Sequence, residues 1–584
     1  MSINKEKPIT IMLKKLFMAA ALVAVCIPTN AQLLVQEYKS PGEANPISPC
    51  VFCADPTAID YNGRVYVYGS NDNQQYIKNG KTGGNGYGDI KSIVVFSTDD
   101  MVNWTFHGTI DVGKLCSTWG WRFAASWAPS AVWRTNDEGE DEFFLYFANS
   151  GGSVGVLKAS SPIGPWKSPL TKPMIDGDTP GVKPCNWIFD PGAVVDENGT
   201  GWIGFGGGDP LSTGSSLWPG NSRMAKLSSS MTSLDGSAVN MPAPYMFEAS
   251  ELNIIGGRFV YTYNTSWSDR NDWSSYAGNN NQPAPSTCSM CYMVSDTPLV
   301  PESWEYRGEY VPNEGNFGMG WGNNHTHLQK FKGNYYLFYH STILEQKMKN
   351  GGAMDSEASG YRSIGVDLAT VNESTQTINK MTLTTTGVSP ICGLNPYVLQ
   401  QAETMATSGG ISYEDFSNVK KNTKISTLGN DASENMQVRM QTGSWTMLRH
   451  VDFGTKGASS FMLRAKGEGT VEIRIGRKGA KSAATFNISS TDMADYTVEV
   501  DPTRFDGEKN IYIAVTSGTE VYLDAWQATE ASENAIHEVE SSKAIKTQNY
   551  DLSGRRIPDT HQHHGIVIEQ YTDEKGVKHS RKRR

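Results

Sequence analysis

Charge is scarce in this chain. Asp, Glu, Lys and Arg make up 19% of its 584 residues, with a formal balance of −10. That composition lacks the basic footprint a nucleic-acid partner requires. Long hydrophobic runs are missing too: the apolar stretch from Leu16 to Ile27 is too short to span a bilayer as a stable anchor. Lys14 and Lys15 precede it, and Thr29-Asn30-Ala31 offers a cleavage site before Gln32. Residues 1–31 therefore read as a signal peptide, with Met12 as an alternative start, and the mature chain as exported with no transmembrane segment. Cys26 follows Val25, a poor context for lipid attachment.

Cysteine is the third scarcity. Seven remain behind the leader, at 50, 53, 116, 185, 288, 291 and 392, and an odd count leaves at least one thiol unpaired. Cys50-x-x-Cys53 and Cys288-x-x-Cys291 have the local spacing of zinc ligands. They are far apart in the chain, and export favours disulfides or idle buried thiols instead.

What the chain has in quantity is Gly (58), Tyr (25) and Trp (15), which fits a turn-rich β protein that handles sugars, though apolar cores use the same aromatic residues. One stretch, CADPTAIDYNGRVYVYGS at 53–70, sets the pattern. An acidic residue opens a strand, Asn62-Gly63 forms a hairpin turn, and Val65–Tyr68 supplies a second strand. The unit returns at Gly139 (EFFLYFAN), Gly199 (GWIGFGG), Gly257 (RFVYTYN) and Gly333 (NYYLFYHS), each followed by a further strand-like run. Five such repeats over 48–393 predict a five-bladed β-propeller.

Polar residues recur in phase with those turns. Asp55, Asp190, Glu248 and His325 each stand eight or nine residues ahead of a turn glycine. Where first strands line a common axis, these positions converge. Either Asp-Pro acid alone reads equally well as a turn cap; three carboxylates in register with the repeat form a constellation. Ser126-Trp127-Ala128-Pro129-Ser130 occupies the corresponding place in the second repeat, and the polar loop 265–286, with Trp267 and Trp273, is expected to border the site.

At Asn395 the texture changes to a second β-rich stretch of 395–530, long enough for one sandwich domain. Beyond it, 531–584 is polar, then carries YDLSGRRI and GIVIEQY, and ends in basic KGVKHSRKRR, a segment suited to sorting or attachment. His561, His563 and His564 lie there as solvated residues or metal ligands.

With ADPTA (54–58), SWAPS, FDPG (189–192), FEAS (247–250), GNNHTH and GYRS in this order, the first region resembles glycoside hydrolase family 43. The resemblance implies hydrolysis with inversion: Asp55 as general base, Glu248 as general acid, and Asp190 as the residue that tunes and orients the acid. Inversion requires two opposed carboxyl groups roughly 6.5–9.5 Å apart, with water between them. A third carboxylate beside the acid keeps it protonated. Glu251, three residues beyond Glu248, is set aside by the motif. The same resemblance implies that His325 helps hold a calcium ion on the axis, though Thr326 separates it from His327 and either can be the axial residue. It places Arg362 against the sugar, with an ion pair between blades as the alternative, while Trp127 suits a stacking wall or ordinary core packing.

The second region resembles carbohydrate-binding module family 6, through Gln401-Ala402-Glu403, GSWTMLRHVDFG and Leu523-Asp524-Ala525-Trp526. Glu403 and Asp524 match positions that hold structural calcium, and sugar binding or a spacer role both stay open. Together the two regions, a propeller followed by a jelly-roll sandwich, imply an exported enzyme acting on plant cell-wall polysaccharide. The leading activity is α-L-arabinofuranosidase on arabinoxylan. A β-D-xylosidase, an arabinanase and a non-catalytic polysaccharide-binding protein are the alternatives.

Overall fold

The computed structural model describes residues 35–80, 82–419, 423–424, 436–532, 546–550, 552–553, 555–557, 566–572 and 578–583. The leader and His561, His563 and His564 lie outside them.

The structure is mostly β. Five antiparallel sheets follow one another along the chain. The first contains β1 (Ala54–Tyr61), β2 (Arg64–Ser70), β3 (Ile93–Thr98) and β4 (Trp104–Ile110). The second contains β5 (Trp127–Thr135), β6 (Asp141–Ala148) and β7 (Val154–Ala159). The third runs through β8 (Gly192–Val195), β9 (Gly201–Phe205), β10 (Arg223–Lys226) and β11 (Val239–Asn240). The fourth comprises β12 (Met246–Ile255), β13 (Arg258–Thr265), β14 (Met290–Ser295) and β15 (Glu305–Val311). The fifth comprises β16 (Thr326–Phe331), β17 (Asn334–Ser341) and β18 (Ser363–Ala369). Each repeat glycine sits in the turn between the first two strands of its sheet. In the first sheet Asn62 and Gly63 have φ of 50° and 75°, the left-handed pair that a two-residue hairpin needs.

Successive sheets share apolar cores. Tyr68 and Val95 meet Phe143 and Leu157 between the first and second; Phe144 and Tyr146 meet Ile203 and Phe205 between the second and third. Met224 meets Tyr261 and Met293, and Val294 meets Leu337, at the next two junctions. Val67 and Phe96 meet Phe338 and Val366, which joins the fifth sheet back to the first. The first strands β1, β5, β8, β12 and β16 contact one another in that cyclic order, so their starting ends converge.

That last core does not stop at the fifth sheet. It continues into the second region through Tyr413, Phe416, Leu463 and Trp526. Thr404–Met405 adds a further strand to the outer edge of the first sheet, pairing with Thr105 and Trp104. The second region is one hydrogen-bonded set of ten strands, built on the long partners Ala458–Ile475 and Glu508–Glu530. The C-terminal segment is more than a polar tail, because its described residues form a four-stranded antiparallel sheet.

All seven cysteines behind the leader are free thiols. Cys53 packs beside Gly69 in the first sheet, while Cys291 lies on β14 in the fourth. Among the described residues no cluster of three or more His, Cys, Asp or Glu is arranged to hold a metal.

Candidate active site

In an antiparallel meander, strands one and three begin on the face where strands two and four end. The converging ends of β1, β5, β8, β12 and β16 therefore gather loops from every sheet on one face. A cavity of about 420 Å³ opens there, lined by Asp55, Asp190, Glu248, His325, Arg362 and Trp127. Tyr87, Trp187, Phe189, Asn323 and Asn324 complete most of its wall.

The acids reach the cavity through local backbone distortion. Asp55, Ala128, Asp190 and Ala249 have φ of 51°, 38°, 45° and 60°, left-handed values that side chains other than glycine rarely adopt. The ladders shift register at the same places, between Ala54 and Thr57, Trp127 and Ser130, and Glu248 and Glu251. A bulge turns the first residue of a strand out of the pleat and toward the axis. Such conformations cost about 1–3 kcal/mol each and collect at functional sites.

Asp55 sits in a dense set of partners. Arg362 Nη1 donates to Oδ1 at 2.8 Å and Ser70 Oγ to Oδ2 at 2.7 Å. Its own N–H donates to His340 Nδ1 at 3.0 Å. His340 Nε2 faces the Asn323 carbonyl at 2.8 Å, so that nitrogen carries the proton and Nδ1 is free to accept. Burial alone would raise the Asp55 carboxyl, but the Arg362 guanidinium beside it holds it well below the usual carboxylate range. Asp55 is ionised.

Glu248 lies in the opposite electrostatic setting. Burial and the charge on Asp55 push its carboxyl up to about 7, against Arg362 and an Asn264 hydrogen bond that pull it down. Asp190 is raised well above the ordinary value by burial, Glu248 and Asp55, while the Ala249 N–H donates to its Oδ2 at 2.8 Å. One carboxylate poised to accept a proton and one acid poised to give it up near neutrality share one pocket. That is the division of labour acid–base catalysis needs.

Arg362 makes the ion pair between sheets, and it stands where a sugar contact would be. It lines the cavity, and it also ties the fifth sheet to the first by pairing with Asp55 and, through Nη2 at 2.9 Å and Nε at 3.0 Å, with Asp72. Its guanidinium lies 4.8 Å over the Tyr87 ring, and Trp127 Nε1 donates to the Tyr87 carbonyl at 3.0 Å. His325 Nδ1 stands 3.7 Å from Asp55 Oδ1, and burial pushes the ring down to about 4, leaving it neutral. His327 instead faces Glu251 at 3.2 Å, away from the other acids. Trp273 is buried against Tyr245 and stays out of the cavity, whereas Trp267 is exposed.

Several wall residues carried no separate signal in the sequence. Tyr87 and Trp187 in the wall, and His340 buried behind Asp55, come from loops or strand ends whose approach depends on ring closure. Asn324, inside the GNNHTH motif, is buried with both amide atoms unpartnered. A side chain that can donate and accept, facing a cavity with neither need met, suits a sugar hydroxyl.

The calcium expectations divide. His325 offers one nitrogen, and with no third ligating side chain near it among the described residues a hard cation there would be held mostly by water. Glu403 fits better: its buried Oε2 has no hydrogen-bond partner, and Asp524 is close enough to raise its carboxyl further after burial has done so. Two buried carboxylates close enough to raise one another's proton affinity suit a bound cation.

The family model for Glycosyl hydrolases family 43 matches residues 44–354, and that for Carbohydrate binding module (family 6) matches 401–530. An arabinoxylan arabinofuranohydrolase of Paenibacillus polymyxa is 34% identical over 86% of this chain and 77% of its own length. An arabinoxylan arabinofuranohydrolase of Bacillus subtilis (strain 168) is 35% identical over 84% and 93%. The crystal structure of a family 43 arabinoxylan arabinofuranohydrolase from Bacillus subtilis, in complex with cellotetraose, superposes with a TM-score of 0.74 at 33% identity. It covers 86% of this chain and all of that one (100%).

Proposed function

This chain belongs to the glycosyl hydrolases of family 43, and on that premise we propose that it removes terminal α-L-arabinofuranosyl units from arabinoxylan with inversion. It is a glycosidase. The observation that carries the proposal is the opposed setting of Asp55 and Glu248 in one cavity, the first ionised beside Arg362 and the second raised to about 7. Asp55 takes a proton from water as its oxygen attacks the anomeric carbon. Glu248 gives its proton to the leaving oxygen as the glycosidic bond breaks, and Asp190 orients the strand that carries the acid through the Ala249 amide.

The cyclic order of the five sheets supports a five-bladed propeller, and the second region a sandwich. Arabinoxylan is favoured by the rim. Trp121, Trp187, Trp218, Trp267 and Trp321 are exposed, and all five lie in connections between strands on the cavity face. Aromatic faces spread around a one-sugar pocket suit a polymer lying across its mouth. Calcium between Glu403 and Asp524 as a structural ion, a water-held calcium near His325, and export of the mature protein complete the proposal. Among the described residues no helix is long and apolar enough to cross a membrane.

Product analysis on wheat arabinoxylan, debranched xylan and xylo-oligosaccharides tests it. Arabinose alone is the expected product; xylose from chain ends would replace the reading with a β-xylosidase. Glu248→Gln should abolish cleavage of arabinoxylan while leaving its binding intact, and retained turnover would remove Glu248 from the acid role.

A further inference from the structure

Behind the acid lies a buried polar layer that the reaction as described does not use. Asn264 on β13 stands directly opposite Glu248 in the β12–β13 register. Its Nδ2 donates to Glu248 Oε1 at 3.3 Å and to Cys288 Sγ at 3.4 Å, so both amide hydrogens are committed. The Cys288 thiol in turn donates to the Gly322 carbonyl at 3.3 Å, which also accepts from Asn313 Nδ2 at 2.9 Å. Asn264, Cys288 and Asn313 are all fully buried. Cys288 holds φ of 47°, a left-handed conformation unusual for cysteine. Gly322 leads straight into the wall residues Asn323, Asn324 and His325.

We propose that Asn264 and Cys288 are positioning residues for the general acid, a directional relay that fixes which oxygen of Glu248 carries the proton and how far the acid stands from the Asn323–His325 wall. The proposal rests on the assignment of Glu248 as acid. An amide N–H on Oε1 leaves Oε2 as the protonated oxygen that faces the leaving group. When that proton passes to the glycosidic oxygen and the C–O bond breaks, the carboxylate formed keeps its Asn264 hydrogen bond. A donor to the ionised form stabilises it, so the contact strengthens as the reaction proceeds.

The thiol's part is orientation. A neutral Cys288 accepts from the amide and donates to Gly322, a polarity in which an amide flip would set Asn264 Oδ1 against Glu248. Burial, with Glu248 and Glu314 adding to it, pushes the thiol up to about 12, so it stays protonated at neutral pH. The titratable groups that face Glu248 are Asp55, Tyr87, Asp190, Cys288, Glu314 and Arg362. Of these, Glu314 is buried with Oε2 unpartnered and its carboxyl held well above the ordinary range by burial first and Glu248 after it.

The test compares full-length Asn264→Ala, Cys288→Ala and Cys288→Ser with wild type on two substrates. Arabinoxylan needs its leaving oxygen protonated; 2,4-dinitrophenyl α-L-arabinofuranoside does not. Asn264→Ala should lower kcat on arabinoxylan by about 10²-fold and on the aryl substrate by only a few-fold. The alkaline limb of its kcat/KM profile should move up by roughly one pH unit, because a donor that favours the carboxylate is gone. Cys288→Ala should show the same signature more weakly, and Cys288→Ser should restore it. Equal losses on both substrates with an unmoved limb would overturn the relay and leave a packing role. Should Asn264→Ala fail to fold, the two Cys288 variants decide alone. A wild type that released xylose would sink the substrate reading separately, and the same comparison would then run on the dinitrophenyl β-D-xyloside.

Discussion

Arg362 carries the greatest electrostatic demand of any side chain in the site. It neutralises Asp55 and Asp72, both buried, from a buried position of its own. Removing one partner of a buried pair leaves uncompensated charge, at a cost of about 3–5 kcal/mol. Arg362→Ala should therefore lose both activity and stability, measurable as a fall in the denaturation midpoint. Arg362→Lys should recover part of the stability, because a point charge cannot reproduce the fork that reaches both carboxylates. Asn324→Ala separates binding from folding: about a 10²-fold loss in kcat/KM is expected with the melting temperature nearly unchanged, read by steady-state kinetics beside thermal unfolding. pH gives a third check. Glu248 must be protonated to act, so kcat/KM should fall as pH rises through about 7. The linkage sign follows from the raised carboxyl: the stability it contributes is complete at low pH and is lost as pH rises through that value. Glu248→Gln, which does not titrate, should melt higher than wild type at pH 8 and by a smaller margin at pH 5.

At the scale of the element, the hairpins and the strand starts obey different rules. Hairpin glycines follow local chemistry. Gly63 has φ of 75°, and a Cβ added there would meet nothing within 4 Å. Gly63→Ala should cost about 1–2 kcal/mol from backbone strain alone, measured by urea denaturation, with no effect on kcat. This is why the five repeats were legible: a glycine-bearing turn of two residues in the first, fourth and fifth sheets, or of five in the second and third, stands between β-rich runs. The strand starts are different. Nothing in the string Ala-Asp-Pro announces that Asp55 takes a left-handed φ, or that Ala249 rather than Glu248 carries the distortion in the fourth sheet. Those conformations are held by tertiary bonds, Ala128 N–H to Ser70 Oγ at 2.9 Å and Ala249 N–H to Asp190 Oδ2 at 2.8 Å. Trp273 shows the same limit from the other side. The Asn-rich loop marked a polar region near the site, but which of its two tryptophans faces solvent depended on Tyr245 being there to stack on one of them.

Across the whole molecule the two regions are fused rather than tethered. Thr404 continues the first sheet, its Oγ1 lies 2.8 Å from Thr105 Oγ1, and Asn103 Nδ2 donates to the Arg449 carbonyl at 2.8 Å. One apolar core spans the fifth sheet, the first sheet and the second region. Interfaces that permit domain motion are more polar than this shared apolar core. Calorimetry should show a single cooperative transition, and a chain ending at Leu394 should expose Trp104 and Phe106 and melt well below the full protein. Chelation should lower the melting temperature if calcium joins Glu403 to Asp524, with recovery on adding Ca²⁺.

The sequence by itself determined the periodic part of this protein: five hairpin units, and Asp55, Asp190 and Glu248 in phase with them. Strand alternation, turn glycines and spacing act over a few residues, so they are written locally. Only the tertiary structure decided how those acids differ. Arg362 reaches Asp55 across 307 residues and Asp72 across 290, and Asn264 meets both Glu248 and Cys288. The charge state of a carboxyl depends on what closes around it, and closure joins the last sheet to the first.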